Sequence, residues 1–188
     1  METLTSLENH FLIAMPTMDD PFFARAVTYI CEHNKDGAMG LVINQPVDVT
    51  VESLLQQLEI VVPSKSPVLQ KPVFAGGPLA RDRGFVLHAP DHGWRSSVKL
   101  SEQVMITTSK DILEAMGQGH APERYLLTLG YAGWEAGQLE RELAENSWLV
   151  IPADAEILFN TPIRERWQRA TAKLGIEPWQ LGPDVGHA

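Results

Sequence analysis

The chain has 188 residues, 44% hydrophobic and 21% charged, with Cys31 as its one cysteine. That composition supports a substantial core and excludes extensive disorder, an intrachain disulfide and a cysteine-based zinc site of the usual spacing. The net charge of −9 opposes phosphate backbones at long range, so direct DNA binding is not expected.

The acidic N-terminus and the short apolar run Phe11 to Met15 do not make a signal peptide, and no run is long enough to span a membrane. A cytoplasmic protein is expected. No low-complexity linker divides the chain, so residues 1–188 are read as one domain whose tail, from Glu177, lies over the domain or frays.

Phe11 to Met15, closed by Pro16, predicts a first buried strand, and Asp19-Asp20-Pro21 a turn or a single helical turn. Ala26 to Pro46 predicts a central β-hairpin. Two runs rich in Val, Ile, Thr and Tyr flank a polar stretch ending in Asp36-Gly37, a strong hairpin signal. Val27, Tyr29 and Cys31 face one way, Ala26, Thr28 and Ile30 the other, so both faces should be covered.

From Thr50 the period lengthens. Val51, Leu54, Leu55 and Leu58 form the stripe of an amphipathic helix with Thr50 as N-cap. Strands are predicted at Pro72 to Ala75, Arg83 to His88, Ser97 to Leu100 and Val104 to Thr108. Ser109 then caps a helix carrying Ile112, Leu113 and Met116 inward, stopped by Gly117. Arg124 to Leu129 predicts a further strand ending at Gly130-Tyr-Ala-Gly-Trp134. An acidic helix over Glu135 to Glu145 and a strand over Trp148 to Pro152 follow. A last helix has the stripe Ile163, Trp167, Ala170 and Leu174, with Arg164, Arg166, Arg169 and Lys173 on its wet side. Hairpins mixed with single helices indicate an α+β fold with a curved, largely antiparallel or mixed sheet, barrel-like in its curl.

Four places can carry chemistry. Glu32 and His33 join an acid and a neutral-pH base at the hairpin turn, without a nucleophile in a suitable context. Asn44 is a polar residue at the mouth of an apolar strand, suited to satisfying loose backbone groups. Gly76-Gly77-Pro78 with Arg81 and Arg83 offers amides and guanidinium groups to an anion, but matches no phosphate-binding fingerprint and reads more simply as a tight turn. His88-Ala-Pro-Asp91-His92 has metal-ligand residue types, but Pro90 and Gly93 oppose a helix there, and solvated loop histidines are expected. Cys31, beside Glu32 in an apolar arm, should be an inert core thiol. No catalytic residue, metal or cofactor is assigned.

Seven ordered segments carry a family resemblance. They are His10-Phe-Leu-Ile-Ala-Met-Pro16, Tyr29-Ile-Cys-Glu-His-Asn34, Gly37-Ala-Met-Gly-Leu-Val-Ile-Asn44, Gly76-Gly-Pro78, Arg83-Gly-Phe-Val-Leu-His88, Gly130-Tyr-Ala-Gly-Trp134 and Gln138-Leu-Glu140. The chain resembles the bacterial YqgE/AlgH family nearly end to end. The resemblance implies one α+β domain with a curved sheet and cytosolic members of unassigned activity, the AlgH branch carrying the label of a transcriptional regulator. It supplies no catalytic residues. Two function classes follow: a non-enzymatic regulatory or interaction protein, and a small-ligand binder or hydrolase-like protein using Glu32, His33, Asn44, Gly76, Gly77 and Arg83. The partner is accordingly a protein or a small molecule.

Overall fold

A computed structural model describes residues 6–15, 23–63, 66–91 and 93–175. The strands among these residues are β1 His10–Ala14, β2 Val27–Asn34, β3 Gly37–Val42, β4 Pro46–Thr50, β5 Pro72–Ala75, β6 Leu79–His88, β7 Ser97–Lys99, β8 Met105–Thr107, β9 Tyr125–Glu135 and β10 Trp148–Pro152. The helices are α1 Val51–Gln57, α2 Lys110–Gly117, α3 Gln138–Ala144 and α4 Arg166–Ala172. The strands form a ten-stranded sheet whose main path of eight, β10-β1-β2-β3-β9-β6-β8-β7, is antiparallel. β5 adds to β9 in parallel and carries β4. The sheet curls into a half-barrel with helices packed on it, a single α+β domain.

The longest strand, β9, holds the two halves of the sheet together. Its first half lies between β5 and β6, and its second half, from Ala132 to Glu135, pairs with β3. The sequence pattern ends this strand at Leu129, because glycines interrupt the alternation that marks a strand. In the fold the strand continues through them. Gly130 adopts φ +82°, and a Cβ there would sit 2.5 Å from the Gly77 carbonyl oxygen. Glycine is therefore needed where the bent strand passes close to the β5–β6 turn.

The central hairpin forms as expected, with Asn34 paired to Gly37 around Lys35 and Asp36 and with Gly37 at φ +137°. A bulge at Cys31 shifts the register, since Ile30 pairs with Gly40 but Glu32 with Met39. One extra residue reverses the facing of everything beyond it. Glu32 thereby joins Cys31 and Met39 on the concave side, whereas His33 passes to the side covered by α3.

Each face of the sheet carries a buried apolar cluster. On the concave side Phe11, Tyr29, Leu41, Phe74 and Phe85 pack with Trp167 and Ala170 of α4. On the outside, α1 and α2 cover β5, β6 and β9 through Leu55, Ile112 and Met116, and Leu139 of α3 packs with Leu12, Ile30, Trp134 and Trp148. Thr50 caps α1 by accepting from the Ser53 amide at 3.1 Å.

Several sequence expectations change. Leu58, assigned to the inward stripe, is 42% exposed, because α1 ends at Gln57. Pro46 to Thr50 is a strand on β5, where proline had marked a strand end. Ser109 precedes α2 without a side-chain bond to the helix's backbone amides; its hydroxyl donates to the Asp111 carboxylate at 2.5 Å and accepts from the Ser96 amide at 3.0 Å. Gly117 lies within α2, tight against the Val61 carbonyl, and the left-handed residue beyond the helix is Gly119. The last helix opens as a 3₁₀ turn at Ile163–Glu165, and Arg166, assigned to the wet side, is 4% exposed. Its neighbours Trp167, Ala170 and Thr171 complete a wider buried face than the apolar stripe indicates. His88 is fully buried instead of solvated. The segment Asp19-Asp20-Pro21 and the tail from Glu177 lie outside the described residues.

Candidate functional site

The structure separates the six sequence-predicted site residues into four locations. Glu32 and Arg83 converge. They stand on the wall of an open cavity of about 600 Å³ on the concave side of the sheet, with Met39, Phe85 and Tyr131 supplying apolar surface and Lys99 a second cation. The Arg83 guanidinium stacks over the Phe85 ring at 5.3 Å, and Phe85 meets Tyr131 edge to face at 5.9 Å. The apolar stem and planar head of Arg83 thus lie along an aromatic wall while its charge stays exposed. Glu8 reaches the same cavity from the N-terminal segment.

Cys31 also borders this cavity, but its thiol is buried and donates weakly to the Tyr29 carbonyl at 3.9 Å. Burial first, and then the charges of Glu32 and Glu8, push its ionisation upward. A thiol held protonated is a poor nucleophile.

His33 is directed away from the cavity by the bulge. Its Nδ1 accepts the Leu7 amide at 2.9 Å, and its Nε2–H donates to Glu140 Oε1 at 2.7 Å. Those partners select the neutral tautomer protonated on Nε2. Its backbone is also engaged, the amide with Glu8 Oε1 and the carbonyl with the Ser6 hydroxyl, so the residue fastens the N-terminal segment to β2. The turn-tip acid–base pair of Glu32 and His33 is therefore not assembled.

Asn44 takes the role its position suggests. Its Oδ1 accepts the Val27 amide at 2.9 Å and its Nδ2 donates to the Arg25 carbonyl at 3.0 Å. It borders a different cavity, beside Arg25 and Trp167. Gly76 and Gly77 are committed to packing. A Cβ on Gly77 would lie 2.0 Å from the Tyr131 backbone, and one on Gly76 2.4 Å from the Gly130 carbonyl oxygen. The Gly76 amide donates to Leu129 and its carbonyl accepts from Val42. These glycines let β9 approach closely.

His88 Nδ1–H donates to the Ala89 carbonyl at 2.9 Å, leaving Nε2 to accept from the Thr107 hydroxyl at 2.7 Å. Burial holds its pKa below the ordinary value. Among the described residues no group of three or more His, Cys, Asp or Glu is placed to hold a metal ion. No helix of those residues is long and apolar enough to cross a membrane. Sequence reasoning missed Met39, Phe85, Lys99 and Tyr131 as cavity walls. They come from four strands, and no spacing in the chain links them.

The fold and the cavity define a single-domain α+β protein with a curled sheet and a mixed-charge hollow on its concave side. Comparison with known proteins places it further. The AlgH-like family model DUF179 matches residues 11–179, and the chain belongs to that family. It is 65% identical over 185 residues to UPF0301 protein IL2218 of Idiomarina loihiensis, covering 98% of this chain and all of that one. A UPF0301 protein of Vibrio cholerae is 56% identical over 186 residues, covering 97% of this chain and all of its own. The solution structure of the AlgH protein from Pseudomonas aeruginosa superposes with a TM-score of 0.80 at 47% identity, over 100% of this chain and 99% of that one. Protein DIP2367 from Corynebacterium diphtheriae shares the fold, with a TM-score of 0.70 at 21% identity over 92% and 90% of the two chains.

Proposed function

We propose that this is a cytoplasmic, non-enzymatic regulatory or interaction protein that acts by binding, and that the hollow between Glu32 and Arg83 takes a small ligand with an apolar body and charges of both signs. The observation that carries the reading is the convergence of Glu32, Arg83 and Lys99 around aromatic walls, a lining of apolar surface with few polar anchors that suits binding. The groups best fitted to do chemistry nearby are otherwise engaged: the Cys31 thiol is kept protonated and the His33 ring is bonded at both nitrogens. The lone buried cysteine suits a reducing compartment.

A thermal-shift screen of zwitterionic and amphipathic metabolites tests the proposal. A ligand at a hundred times its Kd should stabilise the protein by roughly 2.7 kcal/mol. The gain should disappear in both Glu32→Gln and Arg83→Ala, whose exposed side chains contribute little to folding. Stabilisation that survives both substitutions would place the ligand elsewhere, and turnover of the ligand would replace binding with catalysis.

A further inference from the structure

Arg166 is the most deeply buried charge among the described residues, and what surrounds it is unusual for a chain of net charge −9. Its Nε donates to the Thr161 carbonyl at 3.1 Å and its Nη1 to the Ile43 carbonyl. Among the described residues it enters no ion pair. Two neutral carbonyls orient the guanidinium without neutralising it, so among the described residues its charge has no counter-ion, and a buried charge without one is costly.

The same side chain borders a cavity of about 300 Å³ bounded by β5, the start of β9 and the loop before α4. Lys71 lines it as well. Each cation lies against an aromatic ring: Arg166 over Phe74 at 5.2 Å and Lys71 over Tyr125 at 4.7 Å. Phe159 is a third lining aromatic, and the Arg124 guanidinium stands 5.9 Å from its ring. No carboxylate is among the described lining residues. Cations gathered around one hollow repel each other, and folding retains such an arrangement at a cost.

We infer that this cavity is a binding site for a small organic anion, with its charged head between Arg166 and Lys71 and its apolar body along Phe74, Tyr125 and Phe159. Guanidinium and ammonium groups with donors to spare recognise carboxylate and phosphate heads. The cavity suits a body the size of a single ring or a short branched chain. Electrostatics agree with the geometry. Burial draws the Arg166 pKa down to about 10, and burial followed by the charge of Arg166 draws that of Lys71 down. An anion between them stabilises both charged forms. The hollow lies apart from the one holding Glu32 and Arg83, and the two share no lining residue.

The test is a titration of the full chain with phenylacetate, and separately with inorganic phosphate, at constant ionic strength, followed by amide chemical shifts. The expected result is saturable phenylacetate binding that perturbs Lys71, Tyr125 and Arg166. Its affinity should fall about tenfold in Lys71→Met and stay unchanged in Arg83→Ala, which alters only the other cavity. Lys71 is half-buried, so its replacement leaves the core in place, whereas Arg166→Met risks the fold itself. Absence of saturation below ~10 mM, or equal binding by parent and Lys71→Met, would overturn the site. Inorganic phosphate binding as tightly as phenylacetate would overturn the role of the aromatic walls.

Discussion

His33 and Glu140, 107 positions apart in the chain, are joined by a 2.7 Å hydrogen bond from the imidazole Nε2–H to the carboxylate. Because the other ring nitrogen accepts the Leu7 amide, this one side chain ties the N-terminal segment, the central hairpin and α3 together. His33→Ala would leave a backbone donor unpaired and a carboxylate without its partner. The variant should lose about 1–3 kcal/mol, measured by urea denaturation. From its place near the hairpin turn, little effect on stability would be expected. A parent-like denaturation midpoint would show that neither bond stabilises the fold.

His88 gives the fold a dependence on acidity. Burial disfavours its charged form, outweighing the pull of the Ala89 carbonyl and Asp91, so its folded pKa lies below the ordinary value of 6.5. As pH falls, the unfolded chain takes up this proton first. The stabilising effect is therefore full above the ordinary value and is lost as pH drops through it toward the folded pKa. Urea midpoints between about pH 7.5 and 5.5 should fall more steeply in the parent than in His88→Gln. Equal slopes would remove His88 as the source.

Trp167 docks α4 into the concave core, 6% exposed, with its indole N–H donating to the Ala14 carbonyl at 3.1 Å. Trp167→Ala should cost roughly 3–5 kcal/mol in chemical denaturation. Trp167→Phe keeps most of the apolar contact and loses the hydrogen bond and some packing, so it should fall well short of the alanine variant. Near-equal losses would mean that the indole bond, and not packing, holds the helix.

Gly37→Val and Gly77→Ala probe two different demands for glycine. At Gly37 the backbone lies at φ +137° and a Cβ would meet the Trp134 carbonyl oxygen at 2.3 Å, so conformational strain and a clash act together. The expected loss is at least ~1–2 kcal/mol. At Gly77 the obstacle is the Tyr131 backbone at 2.0 Å, which cannot rotate aside. A single methyl there should cost about 1–3 kcal/mol, visible as a lowered Tm. An unshifted Tm in either variant would show that the strands separate there without penalty.

The α+β class, the hairpin with its Asp36-Gly37 turn, the Thr50 cap, the inert buried thiol of Cys31 and the docking of Trp167 are legible in the order of residues alone. Each rests on local physics: alternation and period, turn chemistry, capping, or an apolar stripe that must be covered. Where the side chains meet depends on long-range strand pairing that no local pattern encodes. The bulge at Cys31 reverses the hairpin's facing, sending His33 to Glu140 and leaving Glu32 on the wall of the cavity that Arg83 also lines. β9 passes through Gly130 because Gly76 and Gly77 make room for it, which only the pairing of distant strands reveals. Arg166 was hidden in the same way. A charged residue next to an apolar stripe is assigned to water by its type, and its burial depends on carbonyls at Ile43 and Thr161 that the curl of the sheet and the loop before α4 bring to it.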